Sequence, residues 1–338
     1  MELSGTILAG PEYEPIEGRV VVEGGEITAI EECGTASSDV ICPAFVNAHT
    51  HLGDSIAKEA GRGLDLDELV APPDGLKHRL LAAASREELV TSMRRSLRYM
   101  QAGGTGAFVE FREGGIEGVE ALREAVGPLD IDPFVMGREG TDVLDVADGY
   151  GASGARDGDF SEERNAARAR DKPFGIHAGE RDPHDINPAL DLDPDFLVHM
   201  VHAEQLHLER LADSDVPTVV CPRSNLVTGV GLPPVAELLE RTTVALGTDN
   251  VMLNSPSMFR EMEFVSKLCD VQAPEVLRMA TAAGAEIAGL DCGVVEPGRR
   301  ARLLVLDGDS DNLSGVRDPV RAVVRRAGVA DVSNVVLR

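Results

Sequence analysis

Short apolar segments alternate with longer amphipathic ones over the middle of this 338-residue chain. The short segments have the composition of buried strands, and the long ones have the spacing of helices with one apolar face. We predict helices at Arg86–Gln101, Ile116–Ala125 and Ser161–Arg170. We predict strands at residues 43–51, Thr105–Phe111, Pro133–Met136, 143–149, 174–177, 196–199, Val216–Cys221 and 244–249. Alternation of this kind favours a parallel sheet, and about eight strands is the number that a (β/α)8 barrel requires.

Both ends of the chain have a different pattern, in which apolar residues alternate with turn residues. Residues 2–32 predict short antiparallel strands with a hairpin at Gly24-Gly25. The other end repeats this pattern at residues 301–307, 320–324 and 332–337. We therefore predict an α/β fold in which a TIM-like barrel, residues 43–295, is joined to a small β-sandwich domain built from residues 1–42 and 296–338.

One long segment, from Leu52 to about Ala84, interrupts the alternation. It is rich in glycine, proline and charged residues. We predict that it is a long loop that forms a lid or a wall of a pocket.

The composition is that of a globular protein from a reducing compartment. The hydrophobic fraction is 43%, and no apolar run approaches the roughly 20 residues that a membrane helix needs. The N-terminus lacks the basic region of a signal peptide. Five cysteines are scattered along the chain without a CxxC pair. These features predict a reduced, cytoplasmic protein without a membrane partner.

The charge is strongly acidic, with 58 Asp and Glu residues against 32 Lys and Arg residues and a formal net charge of −26. Such a surface repels polyanions, so we expect no nucleic-acid partner. High salt screens the self-repulsion of an acidic surface, and the composition therefore predicts a halophilic source.

The segment from Pro43 to His51 ends in a His-x-His triplet. Because side chains alternate along a strand, His49 and His51 would point to the same face. Two imidazoles on one face at a strand end can bind one metal ion. The triplet alone is ambiguous, since a pair of loop or core histidines also produces it, and its meaning depends on further ligands downstream.

Further ligands do follow, because later apolar segments end in His177, in His199 and in Asp249. Glu180 comes three residues after the first of these. All of these residues fall at the C-terminal ends of predicted strands, where parallel α/β barrels carry their catalytic groups. The combination is much more specific than any one member, although buried core histidines and a helix-capping Asp remain the alternative.

Five motifs together resemble the amidohydrolase superfamily, and the resemblance covers nearly the whole chain. They are residues 43–55, the HAGE segment 177–180, the strand ending at His199, the CPRSN segment 221–225 and the LGTDN segment 246–250. HAGE combined with CPRSN is similar to the branch that contains adenosine, adenine, cytosine and guanine deaminases and S-adenosylhomocysteine deaminase-like enzymes.

The resemblance implies a role for each matching residue. It places the metal ligands at His49, His51, His177 and Asp249. It makes Glu180 the proton shuttle, and it makes His199 the histidine that orients the water, with Asp249 sharing in proton removal. We prefer His199 to the nearby His202 because His199 ends the apolar segment.

The resemblance also bears on the number of metal ions. Members with two metals bridge them with a carboxylated lysine on the fourth strand, and residues 131–171 contain no lysine. Glu139 could bridge instead, but it lies in a polar run. We predict one divalent ion, with zinc preferred for nitrogen and oxygen ligands and iron as the alternative.

Substrate-binding residues are less well defined by the sequence. Arg112 and Arg138 follow two strands and could hold a carbonyl or phosphate group, and a surface ion pair is the competing interpretation. His202 and Asp54 are further candidates, and Lys77 is a weaker one. A last pair, Ser224 and Asn225, follows a proline and could simply fix a turn.

The resulting hypothesis is an aminohydrolase that releases ammonia from an aminated purine, pyrimidine or related nucleoside. One alternative is hydrolysis of a cyclic amide, or displacement of chloride or an alkylamine from a triazine-like ring, at the same site. An alternative of another class is a catalytically silent metal-binding or assembly protein. The expected partner is a small-molecule substrate, and homo-oligomerisation is left open.

The acidic composition leads to a prediction about stability in salt. We expect the melting temperature to rise with KCl concentration into the molar range, because screening relieves repulsion among the carboxylates. Thermal unfolding followed by circular dichroism over a KCl series would measure it. Full stability in dilute buffer without salt would contradict the halophilic interpretation.

Overall fold

The computed structural model describes residues 1–71 and 74–337 of the chain. In these ranges the strands are β1 (Glu2–Ala9), β2 (Glu14–Glu23), β3 (Glu26–Glu32), β4 (Val40–Pro43), β5 (Phe45–His51), β6 (Thr105–Arg112), β7 (Asp132–Gly137), β8 (Gly149–Ala152), β9 (Phe174–Ala178), β10 (Phe196–His199), β11 (Thr218–Val220), β12 (Val244–Leu246), β13 (Asp249–Asn250), β14 (Leu303–Leu306) and β15 (Val332–Val336). The α-helices are α1 (Leu66–Val70), α2 (Leu76–Ala83), α3 (Arg86–Ala102), α4 (Gly115–Val126), α5 (Ser161–Ala169), α6 (Ile186–Asp191), α7 (Gln205–Ser214), α8 (Pro222–Thr228), α9 (Val235–Leu239), α10 (Met258–Leu268), α11 (Ala273–Met279), α12 (Ala282–Ile287) and α13 (Pro319–Arg325).

The central sheet is a parallel barrel that runs in order from β5 to β12. It closes because the chain turns after β12 and the short strand β13 pairs in parallel with β5. The side chain of Asn47 makes two hydrogen bonds across this seam to Thr248, at 2.7 and 3.0 Å. Counted as one interrupted strand, β12 and β13 make the eighth strand, and the predicted barrel fold is confirmed.

The carboxyl ends of all these strands point to the same side of the barrel, because the strands are parallel. Residues on β5 are buried throughout, as expected for a strand enclosed by helices on one side and the barrel interior on the other. Side chains that follow these strands therefore meet above the barrel core.

The two termini share a second sheet, with strand order β15-β14-β4-β1-β2-β3. The predicted hairpin turns at Gly24-Gly25, where both residues have positive φ. All strand pairs in this sheet are antiparallel except β1 with β4. A separate sheet formed by both ends is thus confirmed, although the described strands form one sheet and the domain boundaries stay a prediction.

Two predicted strands are wrong. Residues 320–324 lie in helix α13, which starts at Pro319 and is capped by the Asp318 carboxylate accepting the N–H of Arg321 at 2.9 Å. Asp followed by Pro is a helix-start signal that outweighs the β-branched run behind it. In the other, residues 143–145 belong to a 3-10 turn, Thr141–Asp145, and the strand begins only at Gly149.

The segment 52–84 contains more regular structure than we predicted. A 3-10 turn, Leu52–Ala57, is followed by α1 and α2, and the two helices contact each other above the first strand. The prediction of a long loop is therefore wrong for this segment, of which residues 72–73 lie outside the described residues. The prediction of a pocket wall agrees with the structure, because residues of α1 and α2 line a cavity. None of the helices in the described ranges combines the length and hydropathy needed to cross a bilayer.

The seam between β12 and β5 gives a prediction about stability. A Cβ atom at Gly247 would lie 2.6 Å from Cβ of His49 and 2.9 Å from its backbone nitrogen. We expect Gly247→Ala to lower the free energy of unfolding by about 1–3 kcal/mol, because the closing strand must move away from β5. Urea unfolding would measure the change.

The matched control is Gly34→Ala, because nothing lies within 4 Å of a Cβ atom at that position. Equal stability of the Gly247→Ala variant and the wild type would show that the seam is not tightly packed.

Candidate active site

Five of the predicted site residues meet where the barrel strands end. His49 and His51 lie on β5, His177 lies on β9, His199 ends β10 and Asp249 starts β13. The ligand atoms of His49, His51 and Asp249 lie within 4.8 Å of one another, and so do those of His49, His177 and His199. The predicted cluster is therefore assembled by the fold.

The alternation along β5 produces the geometry expected of a His-x-His strand. Thr50 points away from the cluster and its hydroxyl donates to the Val109 carbonyl at 2.9 Å. Glu110, on the neighbouring strand, lies 2.7 Å from the Thr50 hydroxyl and accepts the Leu52 N–H at 2.8 Å. These bonds hold the end of β5 so that both imidazoles face the barrel axis.

The spacing of the ligand atoms fits a single tetrahedral ion. Nε2 of His49 lies 3.3 Å from Nε2 of His177 and 3.4 Å from Oδ1 of Asp249. Nε2 of His51 lies 3.6 Å from the same Asp249 oxygen. A tetrahedral ion bound at about 2.0–2.2 Å holds its ligand atoms roughly 3.3–3.6 Å apart. Three contacts among the four predicted ligands thus have the spacing expected around one tetrahedral ion.

The protonation of the ligands also suits a cation. Nδ1 of His177 lies 2.8 Å from the Ala152 carbonyl, so that nitrogen carries the proton and Nε2 presents its lone pair. Burial lowers the pKa of His49, of His177 and of His51, the last to about 3. Neutral imidazoles are the form that binds a metal.

Asp249 complements these neutral rings with a negative charge. Burial alone would raise its pKa, but the hydrogen bond with His49 and the nearby His199 keep the pKa well below its usual range. Its other oxygen, Oδ2, accepts the Ser224 hydroxyl at 2.6 Å. The carboxylate is therefore ionised and held in one orientation.

Two of the predicted site residues have an unusual backbone conformation. Asp249 has φ of 58° and His199 has φ of 84°, a region that non-glycine residues rarely adopt. Positive φ at buried polar residues is typical of functional sites, where surrounding contacts hold the strained conformation.

Two side chains of helix α8 contact the predicted site residues Asp249 and His199. Besides the Ser224 contact, the Asn225 amide nitrogen lies 3.1 Å from Nδ1 of His199. This bond turns Nε2 of His199 towards Glu180, whose Oε2 lies 3.6 Å away. The sequence suggested only a turn for Ser224 and Asn225, and the structure shows that both contact predicted catalytic residues.

Glu180 follows β9 and lines the cavity beside the cluster. Its side chain is 21% exposed. Burial raises the pKa of this carboxyl, and the nearby His199 partly offsets the rise. A carboxyl group with a raised pKa beside a ligand cluster can act as an acid and a base in turn.

The predicted substrate-binding residues divide into two groups. Arg138 lines the cavity, at 3.3 Å from the Glu113 carboxylate. Asp54 is fully buried and accepts the N–H of Met252 at 3.1 Å, so we assign it to the fold rather than to the substrate. Arg112 is buried behind the site, 3.8 Å from both Glu110 and Glu113. Asp54, Arg112 and His202 are not among the described residues that line the cavity.

Sequence reasoning missed one buried carboxylate and undervalued a lysine. Oε1 of Glu113, the residue after β6, lies 2.9 Å from Nδ1 of His51 and 2.7 Å from Nζ of Lys77. Lys77 lies on α2 and also donates to Oδ1 of Asn250 at 3.2 Å. The only signal for Glu113 was its position close to the end of a predicted strand, next to Arg112.

Phe111 packs beneath the ligands rather than over a substrate. It is fully buried, with its ring centroid 4.7 Å from that of His49 and 5.1 Å from that of His177. Glu139, the weighed alternative for bridging two ions, is exposed. Its exposure does not favour Glu139 as a bridging ligand, and the number of ions stays a prediction.

Comparison with known proteins identifies the family. The sequence profile of the amidohydrolase family matches residues 40–174 and 160–337. A putative aminohydrolase of Methanothermobacter thermautotrophicus is 34% identical over 99% of this chain and 97% of its own. The chain therefore belongs to the amidohydrolase family.

More distant relatives carry more specific names. A 5-methylthioadenosine/S-adenosylhomocysteine deaminase of Halobacterium salinarum is 28% identical over 99% of this chain and 90% of its own. Among solved structures, a zinc-bound adenosine deaminase from Xanthomonas campestris has a TM-score of 0.84 at 19% identity, covering 98% of this chain and 90% of its own. A zinc-bound atrazine chlorohydrolase from Arthrobacter aurescens has a TM-score of 0.79 at 20% identity, covering 100% of this chain and 96% of its own.

The Ser224 contact gives a prediction about metal binding. We expect Ser224→Ala to weaken divalent-metal binding by about 10–100-fold, because Asp249 loses the hydrogen bond that orients it. Competition with a chromophoric chelator would measure the affinity.

Thr228→Ala is the matched control, since the Thr228 hydroxyl bonds only to carbonyls of the same helix in this structure. Similar losses in both variants would indicate damage to the helix and not to the site.

Proposed function

We propose that this member of the amidohydrolase family is a metal-dependent deaminase that releases ammonia from an aminated purine, pyrimidine or related nucleoside. The observation that carries the proposal is Glu180, a carboxyl with a raised pKa, whose ligand atom lies within 4.8 Å of those of His199 and Asp249 in the cluster of predicted metal ligands. The names of the related deaminases support adenosine-type nucleosides as the first substrates to test.

We propose zinc as the single ion, held by His49, His51, His177 and Asp249. The tetrahedral spacing of nitrogen and oxygen ligands suits zinc, and ferrous iron also accepts such ligands. Zinc in the structurally similar adenosine deaminase supports this choice. When bound, the ion would lower the pKa of a water molecule towards neutral and favour its attack on carbon.

The protein's own groups would divide the proton transfers. Protonated Glu180 would donate to the ring nitrogen next to the amino-bearing carbon, which makes that carbon electrophilic. His199 would orient the attacking water, and the Asp249 carboxylate would accept its proton. That proton would then pass to the departing amino group, and the remaining hydroxyl proton would return to Glu180. Water is thus consumed, ammonia leaves, the ring carbon keeps the oxygen as a carbonyl and Glu180 is protonated again.

Displacement of another leaving group is the nearest alternative. The atrazine chlorohydrolase shares the fold at 20% identity, so the same barrel also supports attack on a chlorinated triazine ring. Cyclic-amide hydrolysis needs no ring protonation by Glu180, and a silent metal-binding protein needs no acid at all. The presence of Glu180 at the ligand cluster therefore favours deamination over both.

The remaining expectations are proposals that the charge supports. With a net charge of −26, we propose a small-molecule substrate rather than nucleic acid, and a cytoplasmic, high-salt environment. Relatives from Halobacterium and Haloarcula are in agreement with the latter. Assembly into a homo-oligomer stays a prediction.

The proposal can be tested by measuring ammonia release. We expect the zinc-loaded protein to deaminate at least one member of a panel of adenosine, 5-methylthioadenosine, S-adenosylhomocysteine, adenine, guanine and cytosine in high salt. No ammonia from any of these would reject the substrate class. Chloride or alkylamine release from a triazine would favour the alternative.

A second prediction concerns Glu180 itself. We expect Glu180→Gln to lower kcat by about 10²–10⁴-fold, because an amide cannot deliver the proton, while the zinc content stays at that of the wild type. Elemental analysis beside the kinetic assay would establish both. Glu139→Gln, the same change at an exposed position, is the control, and an active Glu180→Gln enzyme would remove Glu180 from this role.

A further inference from the structure

Helix α2 is anchored by a charged residue. Among the eight residues of this helix, all of them described, Lys77 is the one that is buried, at 3% exposure. Leu76 and Leu80 of this helix are only partly buried, in an apolar cluster that they share with α1. A buried ammonium is costly unless it is paired and hydrogen-bonded, so its partners must define where the helix docks.

The partners of Lys77 lead to two different metal ligands. One arm runs through Glu113, whose Oε1 lies 2.7 Å from Nζ of Lys77 and 2.9 Å from Nδ1 of His51. The other arm runs through Asn250, which accepts from Lys77 at 3.2 Å and donates to Oδ1 of Asp249 at 3.0 Å. Lys77 thus contacts two residues, and each of them contacts a different predicted metal ligand.

We propose that Lys77 and Glu113 are positioning residues that couple the docking of helix α2 to metal binding at His51 and Asp249. A carboxylate next to Nδ1 favours the tautomer in which Nε2 keeps its lone pair for the metal. In this structure Nδ1 of His51 makes no well-aligned hydrogen bond, and Glu113 is the carboxylate at 2.9 Å. Bringing the N–H into line with Glu113 would therefore accompany metal binding.

Two arginines also lie close to the Glu113 carboxylate. Arg138 lies 3.3 Å and Arg112 lies 3.8 Å from this carboxylate. Either arginine can keep Glu113 paired when Lys77 is replaced, so the barrel should still fold while the link to α2 is lost.

The coupling between helix docking and metal binding is reciprocal. If metal binding orders α2, then docking of α2 must strengthen metal binding by the same free energy.

The inference rests on the proposed metal centre but not on any substrate. The first measurement is zinc affinity of the full-length protein by chelator competition, for wild type, Glu113→Gln and Lys77→Met. We expect both variants to bind zinc about 10–100-fold more weakly. Arg79→Met is the matched control, because it removes one positive charge from an exposed position of the same helix.

The second measurement is hydrogen–deuterium exchange of the peptide that covers residues 76–83, with and without zinc. We expect zinc to protect this peptide in the wild type and in Arg79→Met, and to give no protection in Lys77→Met. A lysine that merely stabilises the fold would speed exchange equally in the presence and absence of zinc.

Each remaining outcome contradicts a different part of the argument. Wild-type zinc affinity in both variants, or no protection of α2 by zinc in the wild type, would overturn the coupling. Weak binding in Glu113→Gln alone would overturn the role of Lys77. A wild type that binds no zinc would reject the metal centre itself, whereas missing deaminase activity would leave this result standing.

Discussion

Closure of the barrel by a two-residue strand is the constraint on which the site depends. The strand is interrupted after β12, at Gly247 and Thr248, and the pairing with β5 begins at Asp249. This arrangement brings a carboxylate from the end of the barrel sequence to within 3.4 Å of a histidine from its beginning. The two hydrogen bonds between Asn47 and Thr248 fix the register of that closure. Without them the first and last ligands would belong to unconnected edges of the sheet.

Assembling the ligands in this way carries an electrostatic cost that the fold distributes over several elements. Burial keeps the imidazoles neutral and would also neutralise the carboxylates if they were alone. Asp249 stays ionised because histidines surround it, and Glu113 stays ionised because Lys77, His51 and Arg138 outweigh the effect of its burial. Burial raises the pKa of Glu180, and the nearby His199 offsets the rise only in part.

The sequence predicted the residues that follow strands but not the contacts between distant segments. His49, His51, His177, His199 and Asp249 could be found because each ends an apolar segment, and parallel strands gather such residues at one edge. Glu113 also follows a strand, yet its meaning depends on Lys77, 36 positions earlier in a segment whose docking no periodicity reveals. Residues 320–324 were misassigned because four of the five are valine or alanine, which fit a strand as well as a buried helix face. Only Asp318-Pro319 distinguishes the two.

Salt acts differently on the surface and on the interior of this acidic protein. Exposed carboxylates are screened within about 10 Å at 0.1 M salt and within about 3 Å at 1 M, whereas buried pairs are screened much less. The contacts among His51, Glu113 and Lys77 are nearly free of solvent. Salt can therefore relieve the repulsion that a net charge of −26 creates and leave the field at the ligands almost unchanged. The acidic surface and the buried cations beside the predicted ligands would therefore respond separately to the salt concentration.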